Sequence, residues 1–250
     1  MKEASGFFHP CHTLKALFYG TMSSAIPNFS SSVKCGRQYV NLEKKVVEAI
    51  KERKKSRQKT FRSLNSIIMR FPQFKEQLKS IKDVFERYDE DSNGTIDHQE
   101  LKKCFTKLQI HLSEKEIDAM YHYCNIDGKK GIQQSEFIVL LCLIYLLMKP
   151  ASASHNNSEI GSPQLNSTFD TLVEAFLFLD KNGDGKLERE DVVLALNEES
   201  PKEKSLSRIT ARRFNEMDWN KDGKVDFKEF VFSLTKWVGI ESDDEEEEHH

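Results

Sequence analysis

Apolar residues recur along this chain with the spacing of one face of an α-helix, in segments that flank short polar stretches. Before one polar stretch the apolar positions are Ile81, Val84, Phe85 and Tyr88, and after it they are Leu101, Cys104, Phe105 and Leu108. Further along, Leu172, Ala175, Phe176 and Leu179 precede another polar stretch, and Val192, Ala195 and Leu196 follow it. Since this spacing places the apolar side chains on one helix face, the pattern predicts helix–loop–helix units.

Four polar stretches share a frame of twelve residues. They begin at Asp89, Asn125, Asp180 and Asp218, which makes two pairs with a longer interval between them. In the first and fourth, oxygen-bearing side chains occupy positions one, three, five, nine and twelve, with glycine at six and an aliphatic residue at eight. A hard divalent cation needs six or seven converging oxygens, and the glycine permits the sharp turn around it. These two stretches are therefore predicted to bind a divalent cation.

The frame also predicts the role of each ligand. In the first loop the ligands are Asp89, Asp91, Asn93, the carbonyl of Thr95 and both oxygens of Glu100, with Asp97 acting through water. In the fourth they are Asp218, Asn220, Asp222, the carbonyl of Lys224 and Glu229, with Asp226 acting through water. Because Lys224 contributes only its carbonyl, its charge does not argue against a cation site.

The third loop departs from the frame at its last position. Its ligands are Asp180, Asn182, Asp184, the carbonyl of Lys186, Glu188 and Asp191. Aspartate is one methylene shorter than glutamate, so Asp191 closes on the cation with two oxygens only with difficulty. Six-fold coordination at shorter distance suits magnesium relatively better. We expect a weak calcium site or a mixed calcium/magnesium site, with a silent loop as the alternative.

The second loop departs further. It keeps Asp127 and Glu136 but has Lys129 and Lys130 at positions five and six, where a ligand and the turning glycine are expected. Two cations beside the site oppose calcium, so we predict that this loop binds none. We expect Ile132 to pair with Ile96 in a short two-stranded contact that supports the first loop.

These loops and their flanking helices resemble the EF-hand family, specifically a four-hand protein of the calmodulin-like class with an N-terminal extension. The runs FIVLLCLIYLL from Phe137 and SLNSIIMRFP from Ser63 are similar to the plant branch of that class. The resemblance covers roughly residues 60–240. It implies an all-α fold of two EF-hand pairs, that is four helix–loop–helix hands, joined by a flexible linker and preceded by a basic N-terminal helical arm. It implies Ca²⁺ as the bound ion, with Mg²⁺ an alternative at the third loop.

The predicted segments follow from these patterns. They are a disordered segment 1–40, a basic amphipathic arm 41–74, a first EF-hand pair 75–148, a linker 149–167, a second pair 168–240 and an acidic tail 241–250. The linker is polar and contains two prolines, which is typical of a flexible connection.

Charge divides the chain into a basic arm and an acidic body. Residues 1–80 hold 16 Lys and Arg against 5 Asp and Glu, whereas the remainder holds 21 against 35. In the arm, Leu42, Val46, Val47 and Ile50 form a helical stripe that is followed by a run of basic residues. Such a helix favours docking on an acidic lobe of the same molecule, contact with a membrane surface or nuclear import. A solvent-exposed helix with only local packing is the alternative, since runs of charged residues usually remain solvated.

Residues 137–148 are uninterruptedly apolar, yet too few to span a bilayer. Any membrane contact is therefore expected to be peripheral. A helix that is apolar on every side is buried in the lobe or leaves a groove for a partner, and the sequence leaves both interpretations open.

The chain carries no signature of a hydrolase, a P-loop or a kinase, and its carboxylates are accounted for as cation ligands, so we expect no catalytic activity. The leading hypothesis is a calcium sensor that exposes apolar surface and regulates target proteins, through amphipathic helices of those targets. The alternatives are a regulatory subunit held on an enzyme and a calcium/magnesium buffer. The small number of methionines, 6, favours a limited set of targets.

No specific nucleic-acid binding is expected. The odd number of cysteines without zinc spacing favours the cytoplasm, with the nucleus as an alternative and organelle import less favoured.

Overall fold

Helices make up most of the part of the chain that the computed structural model describes, namely residues 35–56, 66–67, 70–79, 81–107, 110, 112–148, 163–197 and 206–240. They are α1 (Cys35–Lys55), α2 (Phe71–Lys79), α3 (Lys82–Tyr88), α4 (His98–Lys107), α5 (Glu114–Cys124), α6 (Gln134–Met148), α7 (Pro163–Leu179), α8 (Arg189–Asn197), α9 (Leu206–Met217) and α10 (Phe227–Trp237). Extended pairing within these ranges is limited to two isolated bridges. The predicted all-α class with paired hands and a helical arm is confirmed.

Three of the predicted segments fall largely outside the described residues. These are the N-terminal segment 1–40, the linker 149–167 and the acidic tail 241–250. Where the linker meets the second pair, α7 already begins at Pro163, inside the segment predicted as linker. Proline suits the first position of a helix, because the N–H that it lacks would have no partner within the helix there.

The four loops lie between consecutive helices and meet in pairs. Loop 1 (residues 89–100) joins α3 to α4, loop 2 (125–136) joins α5 to α6, loop 3 (180–191) joins α7 to α8, and loop 4 (218–229) joins α9 to α10. The backbone N–H groups of Ile96 and Ile132 each donate to the other's carbonyl at 2.8 Å, and Leu187 and Val225 do the same. The predicted contact between Ile96 and Ile132 is confirmed, so each loop is braced by its neighbour.

Local sequence fixes where two of these helices begin. Ser113 precedes α5, and the Glu116 carboxylate reaches back to accept from the Ser113 backbone N–H at 2.7 Å. Asp226 precedes α10, where its carboxylate accepts from the Glu229 N–H at 2.9 Å while Glu229 accepts from the Asp226 N–H at 3.0 Å. These reciprocal bonds satisfy N–H groups that lack partners within a helix.

The apolar helix α6 lies at the centre of the molecule. Every residue from Phe137 to Leu146 is buried. One side of α6 lies against α5 and α3 of its own pair, and the others are covered by α1, α7 and α10. Of the two interpretations left open by the sequence, burial in the core is the one observed, and the helices that bury it come mostly from outside the first pair.

The arm helix α1 is part of this core. Leu42, Val46 and Ile50 are at most 2% exposed, and the helix contacts α5, α6 and α7. The spacing of four residues between these side chains places them on one face. The predicted stripe is therefore the face of α1 that packs against the two EF-hand pairs.

The two pairs pack directly on each other and share one core. Besides the contact between α6 and α10, the ring of Tyr145 in the first pair lies 5.4 Å from that of Phe169 in the second. The Lys228 ammonium lies 4.2 Å from the centre of the Tyr123 ring. The incoming helix of hand 1 is divided into α2 and α3, and α2 lies against α7, where the Thr168 hydroxyl and the Gln77 side chain form a hydrogen bond.

Among the described residues, none of the helices combines the length and hydrophobicity that crossing a bilayer requires. The thiols of Cys104, Cys124 and Cys142 are unpaired and buried, and burial raises the pKa of each well above its usual value. These three thiols are therefore poor nucleophiles in the folded protein.

Candidate metal centres

Loop 1 wraps its backbone around the carboxylate of Asp89, which follows the last turn of α3. The two Asp89 oxygens accept from the backbone N–H groups of Asn93 at 3.0 Å and Gly94 at 2.8 Å. The Asn93 side chain in turn accepts from the Thr95 N–H at 2.8 Å. The Asp91 carboxylate accepts from the Asn93 N–H at 3.2 Å. Together these bonds turn the predicted ligands at positions one, three and five toward the inside of the loop.

Glu100 closes the same loop from the first turn of α4. One carboxylate oxygen accepts from the Glu90 N–H and the other from the Asp97 N–H, each at 2.8 Å. The side chain is buried and anchored at both ends of the loop. Ligand atoms of Asp89, Asp91 and Glu100 all lie within 4.8 Å of one another.

This donor set fits a calcium ion. Calcium binds oxygen at about 2.3–2.6 Å, so ligand oxygens on opposite sides of the ion are about 5 Å apart. Three carboxylates within 4.8 Å match that span. Carboxylates held this close repel one another without a cation between them, which favours binding. Within the described ranges, loop 1 is where three acidic ligand atoms converge so closely.

Loop 4 has the same construction with deeper burial. Glu229 accepts from the N–H groups of Trp219 at 3.2 Å, Asn220 at 3.1 Å and Asp226 at 3.0 Å. Burial raises the pKa of the Glu229 carboxyl to about 7, and the neighbouring Asp226 carboxylate adds to the shift. One carboxylate oxygen of Asp218 is buried and has no hydrogen-bond partner.

The buried, unpartnered oxygen of Asp218, at position one, indicates that loop 4 suits a cation. A buried charge without a partner is costly, and a bound divalent ion removes that cost. Asn220 and Asp222, at positions three and five, each accept from the backbone N–H two residues further on at 2.9 Å, so they are turned inward like their counterparts in loop 1. The residues of loop 4 therefore fit a calcium ion as well.

Loop 3 carries the shortened ligand. Asp191 accepts from the N–H groups of Lys181 at 3.1 Å, Asn182 at 3.2 Å and Glu188 at 2.9 Å. Its carboxylate thus occupies the position that Glu229 has in loop 4, on a shorter side chain. Burial raises the pKa of the Asp180 carboxyl, against the opposing attraction of the Lys54 ammonium.

Asn182 and Asp184 are turned inward as in the other loops. Their side-chain oxygens accept from the backbone N–H groups two residues further on at 2.8 and 2.9 Å. The side chain of Lys186 is not a ligand and instead pairs with Glu43 of α1. Its predicted contribution, the backbone carbonyl, does not depend on where the ammonium lies.

Loop 2 is built around its own lysine. The Lys129 ammonium lies 3.2 Å from a carboxylate oxygen of Asp127, so a side chain of the loop already supplies positive charge to that ligand position. Glu136 is fully buried and accepts from the N–H groups of Ile126 at 2.6 Å, Asp127 at 3.0 Å and Gln133 at 2.9 Å. This arrangement supports the prediction that loop 2 is structural.

The twelve-residue frame did not indicate the contacts that other parts of the chain make with the loops. Lys54 of α1 reaches the first ligand of loop 3, and its neighbour Arg53 lies 3.4 Å from Asp170 on α7. The helical stripe predicts a packed face for α1, but nothing in the sequence says which loop that face approaches. The stripe consists of Leu42, Val46, Val47 and Ile50.

Comparison with protein families agrees with the geometry of the loops. A family model described as an EF-hand domain pair matches this chain twice, over residues 78–141 and 169–235. Each match spans two of the loops described above.

Two plant calcium-binding proteins are similar to this chain over most of their length, and a plant kinase is similar over a smaller part. "Probable calcium-binding protein CML22" of Arabidopsis thaliana is 48% identical over 214 residues, which cover 84% of this chain and 93% of that protein. "Probable calcium-binding protein CML21" of the same plant is 48% identical over 203 residues, covering 81% of this chain and 87% of that protein. "Calcium-dependent protein kinase 16" of Oryza sativa subsp. japonica is 29% identical over 65% of this chain, but over only 26% of the kinase.

Proposed function

The chain belongs to the EF-hand family, and from this premise we propose that it is a calcium sensor that acts on a limited set of target proteins. The observation that supports a sensor is where the closing ligands lie. Glu100 is in the first turn of α4 and Glu229 in the first turn of α10, so each is both a ligand and part of an exit helix. A cation that draws Glu229 inward pulls on α10, which lies against the apolar helix α6. Calcium binding then shifts the helices that bury the core, as a sensor requires.

The first prediction tests this role directly. Calcium added to the calcium-free protein should increase the fluorescence of a dye that binds apolar surface, because movement of α10 uncovers part of α6. The intrinsic fluorescence should change in parallel, since both tryptophans, Trp219 and Trp237, lie in the second pair. Glu229→Gln should reduce both responses. Saturable calcium binding without any dye response would favour the buffer.

A regulatory subunit is the second alternative, and it differs in when the partner is bound. A sensor binds its target when calcium is present and releases it on chelation, whereas a subunit stays bound in both conditions. Pull-down with the full chain, in calcium and in chelator, separates the two. The closing carboxylates of Glu100 and Glu229 are engaged in loop and cap hydrogen bonds, which supports a ligand role for them in a regulatory chain without catalytic activity of its own.

The targets in this proposal carry basic amphipathic helices. The arm helix α1 has this chemistry itself, with a buried apolar stripe and three basic residues in its last turn, Arg53, Lys54 and Lys55. Two methionines of the lobes are buried, namely Met120 and Met217. They therefore do not contribute to an exposed, flexible methionine surface of the kind that binds many different partners. We propose that such a sensor is located in the cytoplasm, where calcium signals arise.

The second prediction concerns the ion preference of loop 3. We propose a weak calcium or mixed calcium/magnesium site there, because Asp191 is too short to close fully on a calcium ion. Asp191→Glu should raise calcium affinity at this site about tenfold and increase its preference for calcium over magnesium. Calcium titrations by calorimetry, with and without magnesium, measure both. An unchanged competition by magnesium would show that side-chain length at position twelve does not limit the site.

A further inference from the structure

In the part of the chain that the structure describes, the position-six glycine of loop 3 is covered by another element, whereas those of loops 1 and 4 are not. The Lys54 ammonium of α1 donates to the carbonyl oxygen of Asp180 and lies 3.8 Å from an oxygen of the Asp180 carboxylate. That carboxylate is completely buried, whereas Lys54 is one third exposed. Asp180 is the first ligand of the loop, so an ammonium group from outside the loop lies beside a position where a cation is to bind.

Two glycines of loop 3 make this approach possible. A Cβ atom at Gly183 would lie 3.0 Å from the Lys54 nitrogen, and one at Gly185 would lie 3.0 Å from a methyl group of Val47. Both glycines have positive φ, at 79° and 82°. At Gly94 and Gly223, the corresponding position-six glycines of loops 1 and 4, a Cβ would meet no described atom within 4 Å. Among the described residues, α1 thus approaches the position-six glycine of loop 3 and not those of loops 1 and 4.

The rest of α1 holds Lys54 in place. Glu43 pairs with Lys186 of the loop, Arg53 lies 3.4 Å from Asp170 on α7, and the Ile50 side chain is fully buried. The helix is therefore fixed against the second pair near its middle, at Glu43, and at its C-terminal end, at Arg53. Because the helix is fixed, the Lys54 ammonium stays close to loop 3 and does not diffuse away as a dissolved counter-ion would.

We propose that Lys54 sets the cation affinity of loop 3, as an internal competitor that a calcium ion must displace from Asp180. Loop 2 shows the same chemistry within one loop, where the Lys129 ammonium lies 3.2 Å from Asp127. In loop 3 the ammonium comes from the arm, so the competition is linked to where the arm lies. Linkage is reciprocal: if docking of α1 weakens calcium binding at loop 3, calcium at loop 3 weakens docking of α1 by the same factor.

The size of the effect follows from Coulomb's law. The interaction of two unit charges about 4 Å apart in water changes a binding constant about fivefold, and a divalent ion at a slightly greater distance interacts somewhat more strongly. Because Lys54 is partly exposed, the aqueous value is the appropriate one. Removing the charge should therefore raise the affinity of loop 3 about tenfold.

The test measures each loop separately in the full chain and rests on the proposed calcium function. The backbone N–H groups of Gly94, Gly185 and Gly223 donate to the first carboxylate of loops 1, 3 and 4, at 2.8, 3.2 and 3.1 Å. Their amide resonances therefore report cation binding at each loop, in a protein labelled with ¹⁵N-glycine. Calcium titrations are compared for the unmodified chain, Lys54→Met, Lys54→Arg and Lys55→Met. The last is a matched control, because Lys55 is largely exposed and pairs only within α1, with Glu52.

Lys54→Met should shift the Gly185 titration to about tenfold lower calcium and leave those of Gly94 and Gly223 unchanged. Lys54→Arg keeps the charge, and Lys55→Met removes a charge elsewhere, so both should titrate like the unmodified chain. Amide hydrogen exchange in residues 42–54 should speed up when calcium saturates loop 3, and less so in Lys54→Met.

Three outcomes would overturn the inference. They are a Gly185 titration in Lys54→Met that matches the Lys55→Met control, an equal gain in Lys54→Arg, and a Gly185 resonance that responds to calcium in none of the variants. In each case, normal titration of Gly94 and Gly223 would leave the calcium function standing. Failure of all three glycines to respond would instead contradict the proposed function itself.

Discussion

Glu100→Gln and Glu229→Gln should each remove one calcium site, and the double variant should remove both sites of sensor strength. Each glutamate supplies two charged oxygens to the ion, and the amide supplies one neutral oxygen. The loss of affinity should be about 100-fold or more, since even residues outside the first coordination shell alter metal affinity by about 10–100-fold. Calorimetric titration of the calcium-free protein measures the number of sites and their affinities, which for sensor loops are about 10⁻⁷–10⁻⁵ M.

The chain offers matched controls for these substitutions. Glu136→Gln places the same change at position twelve of loop 2, where Lys129 already pairs with Asp127, so the calcium stoichiometry should not change. Glu90→Gln changes an exposed loop 1 residue that pairs with Lys103 and should leave the affinity nearly unaltered. Two micromolar sites that persist in the Glu100→Gln/Glu229→Gln double variant would refute the ligand assignment.

Ile50→Asn should destabilise the whole molecule, because α1 belongs to its core. The side chain is fully buried against the two pairs, and the amide that replaces it leaves polar groups without partners. Loss of a buried aliphatic side chain together with burial of an unsatisfied amide costs about 3–5 kcal/mol. Urea unfolding of the calcium-free protein, followed by circular dichroism, should show this loss. Binding of an apolar dye should rise before unfolding, as α6 becomes exposed.

Glu48→Asn is the control on the same helix, since Glu48 is exposed and two residues away. Its effect on the free energy of unfolding should be within about 0.5 kcal/mol. If Ile50→Asn were as stable as this control, the arm would be a peripheral helix whose docking contributes nothing to the fold. The alternative of a solvated basic helix would then be correct.

Much of this protein is determined locally and was predicted from the sequence. The spacing of Asp, Asn, Gly and Glu in twelve-residue frames depends only on how a short loop surrounds a cation. The loops and their pairing at Ile96 and Ile132 could therefore be predicted from the sequence without knowledge of the tertiary contacts. The same holds for the departures. The lysine at position five of loop 2 and the aspartate at position twelve of loop 3 act within their own loops, and their consequences follow from charge and side-chain length.

The tertiary structure decided what covers the apolar surfaces. A helix that is apolar on every side, as α6 is, must be buried, but hydrophobicity is non-directional and does not specify the partner. Here the partners are α1, α7 and α10, which come from the arm and from the other pair, so two lobes predicted as separate units share one core. The ammonium of Lys54 beside Asp180 is likewise a product of that packing, because the two residues are 126 positions apart and no local pattern connects them.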